Sequence, residues 1–106
     1  MLDSLYHLFS STTRSLKISI SDNKLTFIGN DYGSYCEEVW GRDEYEFYYE
    51  LDEENTYSLL RLLMNKYEIE DNLETILKNE FGCDEGSILF DKFCKENGIQ
   101  YSFHNY

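Results

Sequence analysis

At Asp52 the apolar residues of this chain change their spacing from every second residue to every third or fourth. That switch limits the fold more than any other feature, because a two-residue period suits a half-buried strand and a period near 3.6 suits an amphipathic helix. Upstream, Leu16, Ile18 and Ile20 alternate with Lys17, Ser19 and Ser21. Ser21-Asp22-Asn23 supplies turn residues that tolerate left-handed backbone, and Leu25 and Phe27 then resume the alternation against Lys24 and Thr26, which predicts a hairpin. A third extended stretch is expected from Tyr35 to Trp40, ending at a turn of Gly41, Arg42 and Asp43. The fourth strand is the clearest, with Tyr45, Phe47, Tyr49 and Leu51 on one face and Glu46, Tyr48 and Glu50 on the other.

Downstream of the switch three helices are expected. Asp52 is a good N-cap, Glu53 and Glu54 complement the positive end of the helix dipole, and Leu60, Leu63, Met64 and Tyr67 recur at helical spacing to about Lys66. Asp71 followed by Glu74 has the form of a capping box, with Leu73, Ile76, Leu77 and Phe81 on one stripe and Gly82 as the stop. A third helix starts between Asp84 and Ser87, carries Ile88, Leu89, Phe93 and Cys94, and stops at Asn97-Gly98. Ile99, Tyr101 and Phe103 then alternate with Gln100, Ser102 and His104, so the chain returns to the sheet as a final strand. At the other end, Leu2, Leu5, Tyr6 and Phe9 fit a short helix. Strands grouped before helices imply an α+β fold: an antiparallel sheet of four to five strands, about three helices from the C-terminal half on one face, and a C-terminal strand. Without proline, repeats or low-complexity tracts, residues 1–106 read as a single domain.

Charge is unevenly placed. The net charge is −12, from 21 acidic and 9 basic side chains. Residues 1–30 carry two acids and three bases, residues 31–56 ten acids and one base, and residues 57–106 nine acids and five bases. Such a balance argues against binding nucleic acid or anionic membrane, where phosphates require Lys and Arg, and makes a cationic partner the complementary expectation. No stretch approaches the ~18 apolar residues of a membrane span, and the first residues lack a basic region followed by an apolar run, so a cytoplasmic protein is expected. Cys36, Cys83 and Cys94 are odd in number and lack C-x-x-C spacing, which suits reduced thiols.

Chemistry is hard to assemble from this residue set. His7 and His104 are the only histidines, and both lie near the termini, where an exposed imidazole is expected rather than a catalytic one. The cysteines and histidines do not have zinc-ligand spacing, and Asp43, Glu44 and Glu46 lack the calcium-loop pattern. Gly29-Asn30-Asp31-Tyr32-Gly33 has two glycines without a phosphate-loop motif and reads as a turn. A non-catalytic protein with no metal or cofactor is therefore expected. Seven aromatics lie between Tyr32 and Tyr49. Tyr45, Phe47 and Tyr49 suit the core, whereas Tyr48 falls between Glu46 and Glu50 on the opposite face. A rigid tyrosine framed by carboxylates suits recognition of a basic protein, and the same acids suit a solvated face; the sequence leaves both open. The candidate partner-binding residues are Asp31, Glu37, Glu38, Asp43, Glu44, Glu46, Tyr48 and Glu50.

The run GNDYG from Gly29, the stretch EEVWGRDEYEFYYELDEEN from Glu37 to Asn55 and the ending NGIQYSF from Asn97 resemble segments of small acidic bacterial immunity proteins of toxin–immunity systems, including polymorphic-toxin and contact-dependent-inhibition systems. The resemblance implies a protein that binds and blocks a cognate toxin. Such toxins are frequently nucleases with basic substrate channels, which the acidic segment would complement. The alternative is a nucleic-acid mimic, such as a phage-encoded anti-nuclease protein, in which carboxylates stand in for phosphates; the slightly basic first thirty residues count against it.

Overall fold

A computed structural model describes residues 3–33, 44–68 and 70–105. Five strands, β1 (Ser4–Ser10), β2 (Arg14–Ser21), β3 (Lys24–Tyr32), β4 (Glu44–Glu50) and β5 (Ser102–Asn105), form one antiparallel sheet in the order β1-β2-β3-β4-β5. Three helices, α1 (Glu53–Asn65), α2 (Leu73–Phe81) and α3 (Gly86–Glu96), lie between β4 and β5 in the chain. The fold is α+β, as the switch of period at Asp52 implies.

The β2–β3 hairpin forms as the alternation predicts. Asp22 and Asn23 both take positive φ, 52° and 62°, which matches a two-residue turn to the twist of its strands. Cross-strand rows then follow the apolar code. Leu16, Gly29 and Phe47 share one row, Ile18, Phe27, Tyr49 and Phe103 a second, and Ile20 faces Leu25. The helices complete the core from the same side with Thr56, Leu59, Leu60 and Leu63 of α1, Ile76, Leu77 and Phe81 of α2, and Phe90 and Cys94 of α3. Phe90 lies at its centre, its ring centroid 4.7 Å from Phe27 and 5.4 Å from Phe81. Full burial of one such side chain contributes roughly 1.5–3 kcal/mol, against ~0.2–1 kcal/mol for an exposed ion pair. Core packing therefore outweighs surface pairs such as Lys78–Glu74 and Lys92–Glu96. Among the described residues, every buried side-chain nitrogen or oxygen has a hydrogen-bond partner. Thr56 is the clearest case: its buried Oγ1 accepts from the Leu25 amide at 2.9 Å and joins α1 to the start of β3.

The first strand corrects an expectation. Residues 4–10 form β1, not a helix. A β-bulge between His7 and Phe9 breaks strict alternation, so Tyr6, Leu8 and Phe9 all pack with the core, and the broken pattern imitates helical spacing. Pairing with β1 also satisfies the amide and carbonyl groups on the outer edge of β2. The stretch expected as a strand from Tyr35 to Trp40, and the turn of Gly41 to Asp43, lie outside the described residues.

The helices lie where expected, with corrections to their faces. On α1, Met64 is 59% exposed while Thr56 and Leu59 point inward. On α3, Ile88 is 63% exposed, and the inward positions are Ser87, Phe90 and Cys94. The N-cap of α2 is Asn72, whose side chain accepts from the Thr75 amide at 2.8 Å; Asp71 instead accepts from the Glu68 amide at 3.2 Å in the preceding turn. The cap therefore lies one residue beyond the expected Asp71, and the expected capping box of Asp71 and Glu74 does not form. At the end of α3, Gly98 takes φ 67° and the Ile99 amide returns to the Cys94 carbonyl at 2.9 Å, which turns the chain toward β5.

Candidate partner-binding site

Helices cover one face of the sheet, and the alternation along β4 assigns its side chains to the two sides. Tyr45, Phe47 and Tyr49 belong to the helix side, with Phe47 buried; Glu44, Glu46, Tyr48 and Glu50 belong to the other. Neighbouring strands extend that outer face through Lys17, Ile28, Tyr48 and His104 in one row and Ser19, Thr26, Glu50 and Ser102 in the next. The outward row foreseen on β4 is thus brought onto a continuous five-strand surface.

Each of these acids lies beside a polar neighbour. The Tyr48 hydroxyl donates to Glu46 Oε2 at 2.5 Å, a charge-assisted bond that fixes the ring. Asn30, 6% exposed, donates from Nδ2 to Glu44 Oε1 at 3.1 Å. His104 Nε2 lies 3.6 Å from Glu50 Oε2. The histidine contact was invisible along the chain, since residues 50 and 104 meet only because β5 closes beside β4.

Asp31 is placed differently. It belongs to β3, not to a loop, because the GNDYG run is strand through Tyr32. Its register partners Arg14 and Tyr45 set it on the helix side, away from the outward row. There Arg14 grips both carboxylate oxygens, Nε at 2.6 Å and Nη2 at 3.0 Å, and donates from Nη1 to the Asp84 carbonyl at 2.8 Å. Asp31 thus ties β2 and β3 to the segment between α2 and α3. Gly29 also departs from a turn role: its φ is not positive, and the Phe47 ring lies where a side chain would begin. Glu37, Glu38 and Asp43 lie outside the described residues.

A second acidic region sits at the end of the sheet where the β2–β3 turn meets α1. Asn23, Glu53, Glu54, Thr56, Tyr57 and Leu60 line a cleft of about 440 Å³. Asp52 caps α1 by accepting from the Asn55 amide at 2.8 Å, and that bond holds its carboxyl below the usual carboxylate range. Sequence reasoning assigned Glu53 and Glu54 to the helix start and passed over Tyr57. The available signal was Tyr57, Arg61 and Met64 at i, i+4 and i+7, a stripe offset from the buried one.

Elsewhere the polar side chains brace the fold. The Tyr101 hydroxyl donates a short bond to Asp91, which also pairs with Lys95, and the bond lowers the Asp91 carboxyl from its ordinary value. Glu80 receives Lys66 at 2.8 Å and the Tyr67 hydroxyl at 2.9 Å, linking the end of α1 to α2. Burial pushes the Cys94 thiol up to about 12. Among the described residues no group of three or more His, Cys, Asp or Glu side chains has the geometry of a metal site, and no helix is long and apolar enough to cross a membrane. Comparison with protein-family models, curated proteins and solved structures returned no match.

Proposed function

We propose that the protein is a non-catalytic inhibitor, an immunity protein that binds and neutralises a cognate toxin with a basic surface, of which a nuclease is the leading example. The observation that carries this reading is the placement of Glu44, Glu46, Tyr48 and Glu50 together on the face of the sheet opposite the described helices. A tyrosine with its hydroxyl held by Glu46 is a contact group that loses little conformational freedom on binding, and the flanking carboxylates complement Lys and Arg. The resemblance of GNDYG, the W-G turn and E-Y-E strand, and NGIQYSF to immunity proteins supports the same reading. Such an inhibitor acts in the cytoplasm, where fast capture of a lethal enzyme matters; electrostatic steering supports association at ~10⁸ M⁻¹s⁻¹ at low salt. Lys17 on the same sheet face interrupts the negative surface, which suits a protein partner better than a phosphate mimic.

Co-expression with the protein of the adjacent reading frame, followed by copurification and rescue from its toxicity, tests the reading. Formation of a complex and rescue are expected, and failure of the neighbour to bind or be neutralised removes the main support. The combined change Glu46→Lys, Tyr48→Ala and Glu50→Lys is expected to weaken binding at least about a hundredfold, given roughly 1–2 kcal/mol for each contact residue. Circular dichroism should stay native. Unchanged affinity in a folded variant moves the contact surface off β4.

A further inference from the structure

The cleft beside the start of α1 offers a different anchor from the β4 row. Its lining is mostly apolar and includes Leu60, Thr56 and the Tyr57 ring, together with the acids Glu53 and Glu54. Tyr57 is 67% exposed, on a helix whose other face supplies the core. The carboxylates of Glu46, Glu44 and Asp31 are engaged by Tyr48, Asn30 and Arg14. Glu53, Glu54 and the Tyr57 hydroxyl, in contrast, make no hydrogen bond or ion pair with the described residues. Asp22, Glu50 and Asp52 add negative charge around the same end of the sheet, against Lys24.

We infer that this cleft is a docking pocket for one arginine side chain of a protein partner. The occupant follows from shape and charge. An apolar lining takes the aliphatic stem, an exposed tyrosine face takes a planar guanidinium by stacking and cation–π attraction, and carboxylates in the lining accept its N–H groups. A lysine ammonium matches the charge without the planar fork, and an aliphatic residue matches the apolar lining without the charge. Glu50, the last residue of β4, and Asp52 lie three residues and one residue before Glu53 in the chain. This inference rests on the reading of the protein as the binder of a basic partner, and it names the residue that partner inserts.

The test titrates the isotopically labelled full chain with acetyl-arginine amide, acetyl-lysine amide and acetyl-norleucine amide, followed by amide NMR. Saturable shifts centred on Asn23, Glu53, Glu54, Tyr57 and Leu60 are expected with the arginine compound, with the norleucine compound at least about tenfold weaker and the lysine compound intermediate. Tyr57→Ala should abolish the response with an unchanged melting curve, and Glu53→Gln with Glu54→Gln should weaken it. Equal responses to all three compounds, non-saturating shifts spread over every acidic residue, or shifts centred on Glu46 and Glu50 would overturn the assignment. Saturable arginine binding by a chain that rescues no toxin keeps the pocket and removes the immunity reading. Toxin rescue by a chain whose cleft ignores arginine removes the pocket.

Discussion

At Gly29 a hydrogen atom stands where any side chain would collide. A Cβ there would lie 2.0 Å from Phe47 Cζ, so the buried ring must shift, and Tyr45 and Tyr49 flank it with centroids at 5.9 Å and 6.0 Å. Ala gains roughly 0.5–1 kcal/mol of strand preference over Gly, while overpacking costs ~1–3 kcal/mol, so the clash wins. Gly29→Ala is therefore expected to destabilise the protein by about 1–2 kcal/mol in urea unfolding, with Phe47→Leu in the same chain recovering part of the loss. Additive losses would disprove the contact. Cys94 and Cys83 form a second contrast at this scale. Cys94 is buried with its thiol pushed up to about 12, and Cys83 is exposed. Since the thiolate is the reactive species, iodoacetamide at neutral pH should modify Cys83 at least about a hundredfold faster than Cys94, as read by peptide mass mapping. Similar rates would show that Cys94 is reached without unfolding.

Elements respond to caps and edges more than to single contacts. For α2, the sequence favours Asp71 as the cap, but the geometry gives the role to Asn72. Asn72→Ala should lower stability by about 1 kcal/mol in a denaturant titration, and Asp71→Ala by clearly less. The reverse order would restore the capping box. Strand β1 carries the parallel lesson. Its apolar residues fit a helix at the level of spacing, and only pairing with β2 distinguishes the bulged strand from it. The expected helix and the observed strand share Tyr6 and Phe9 as inward residues, whereas Leu5, on the expected stripe, is 54% exposed because the strand turns it outward.

Across the whole molecule, titration ties the elements together. Asp52 is held low by the Asn55 amide, and Asp91 by the Tyr101 hydroxyl. A carboxyl lowered on folding stabilises the native state above its unfolded value, near ~3.9, and that contribution is lost as pH falls through the folded value. Burial raises Cys94, Tyr49, Tyr67 and Tyr101, so their contribution is complete below the unfolded values, from ~8.5 for Cys to ~10 for Tyr, and is lost as pH rises beyond them. The urea midpoint is expected to form a plateau between about pH 5 and 8 and to fall on both sides. Relief of repulsion among 21 acids opposes the fall in acid, so the decisive comparison is internal. Tyr101→Phe removes the donor to Asp91 and should shrink the acid-side loss; an identical acid limb would sever the link.

Layer order and the faces of β2, β3 and β4 are legible in local spacing. The switch at Asp52, the Asp22-Asn23 turn and the alternation of Tyr45, Phe47 and Tyr49 with Glu46, Tyr48 and Glu50 are local, because strand and helix periods are set by backbone geometry within a few residues. Tertiary structure alone decided what depends on distant partners. It brought His104 to Glu50, set Asp31 on the helix side in the grip of Arg14, and placed Asn23 against α1 to form a cleft. Those pairings span tens of residues, and no local spacing encodes which strand edge or turn a given side chain meets once the sheet closes and the helices cover it.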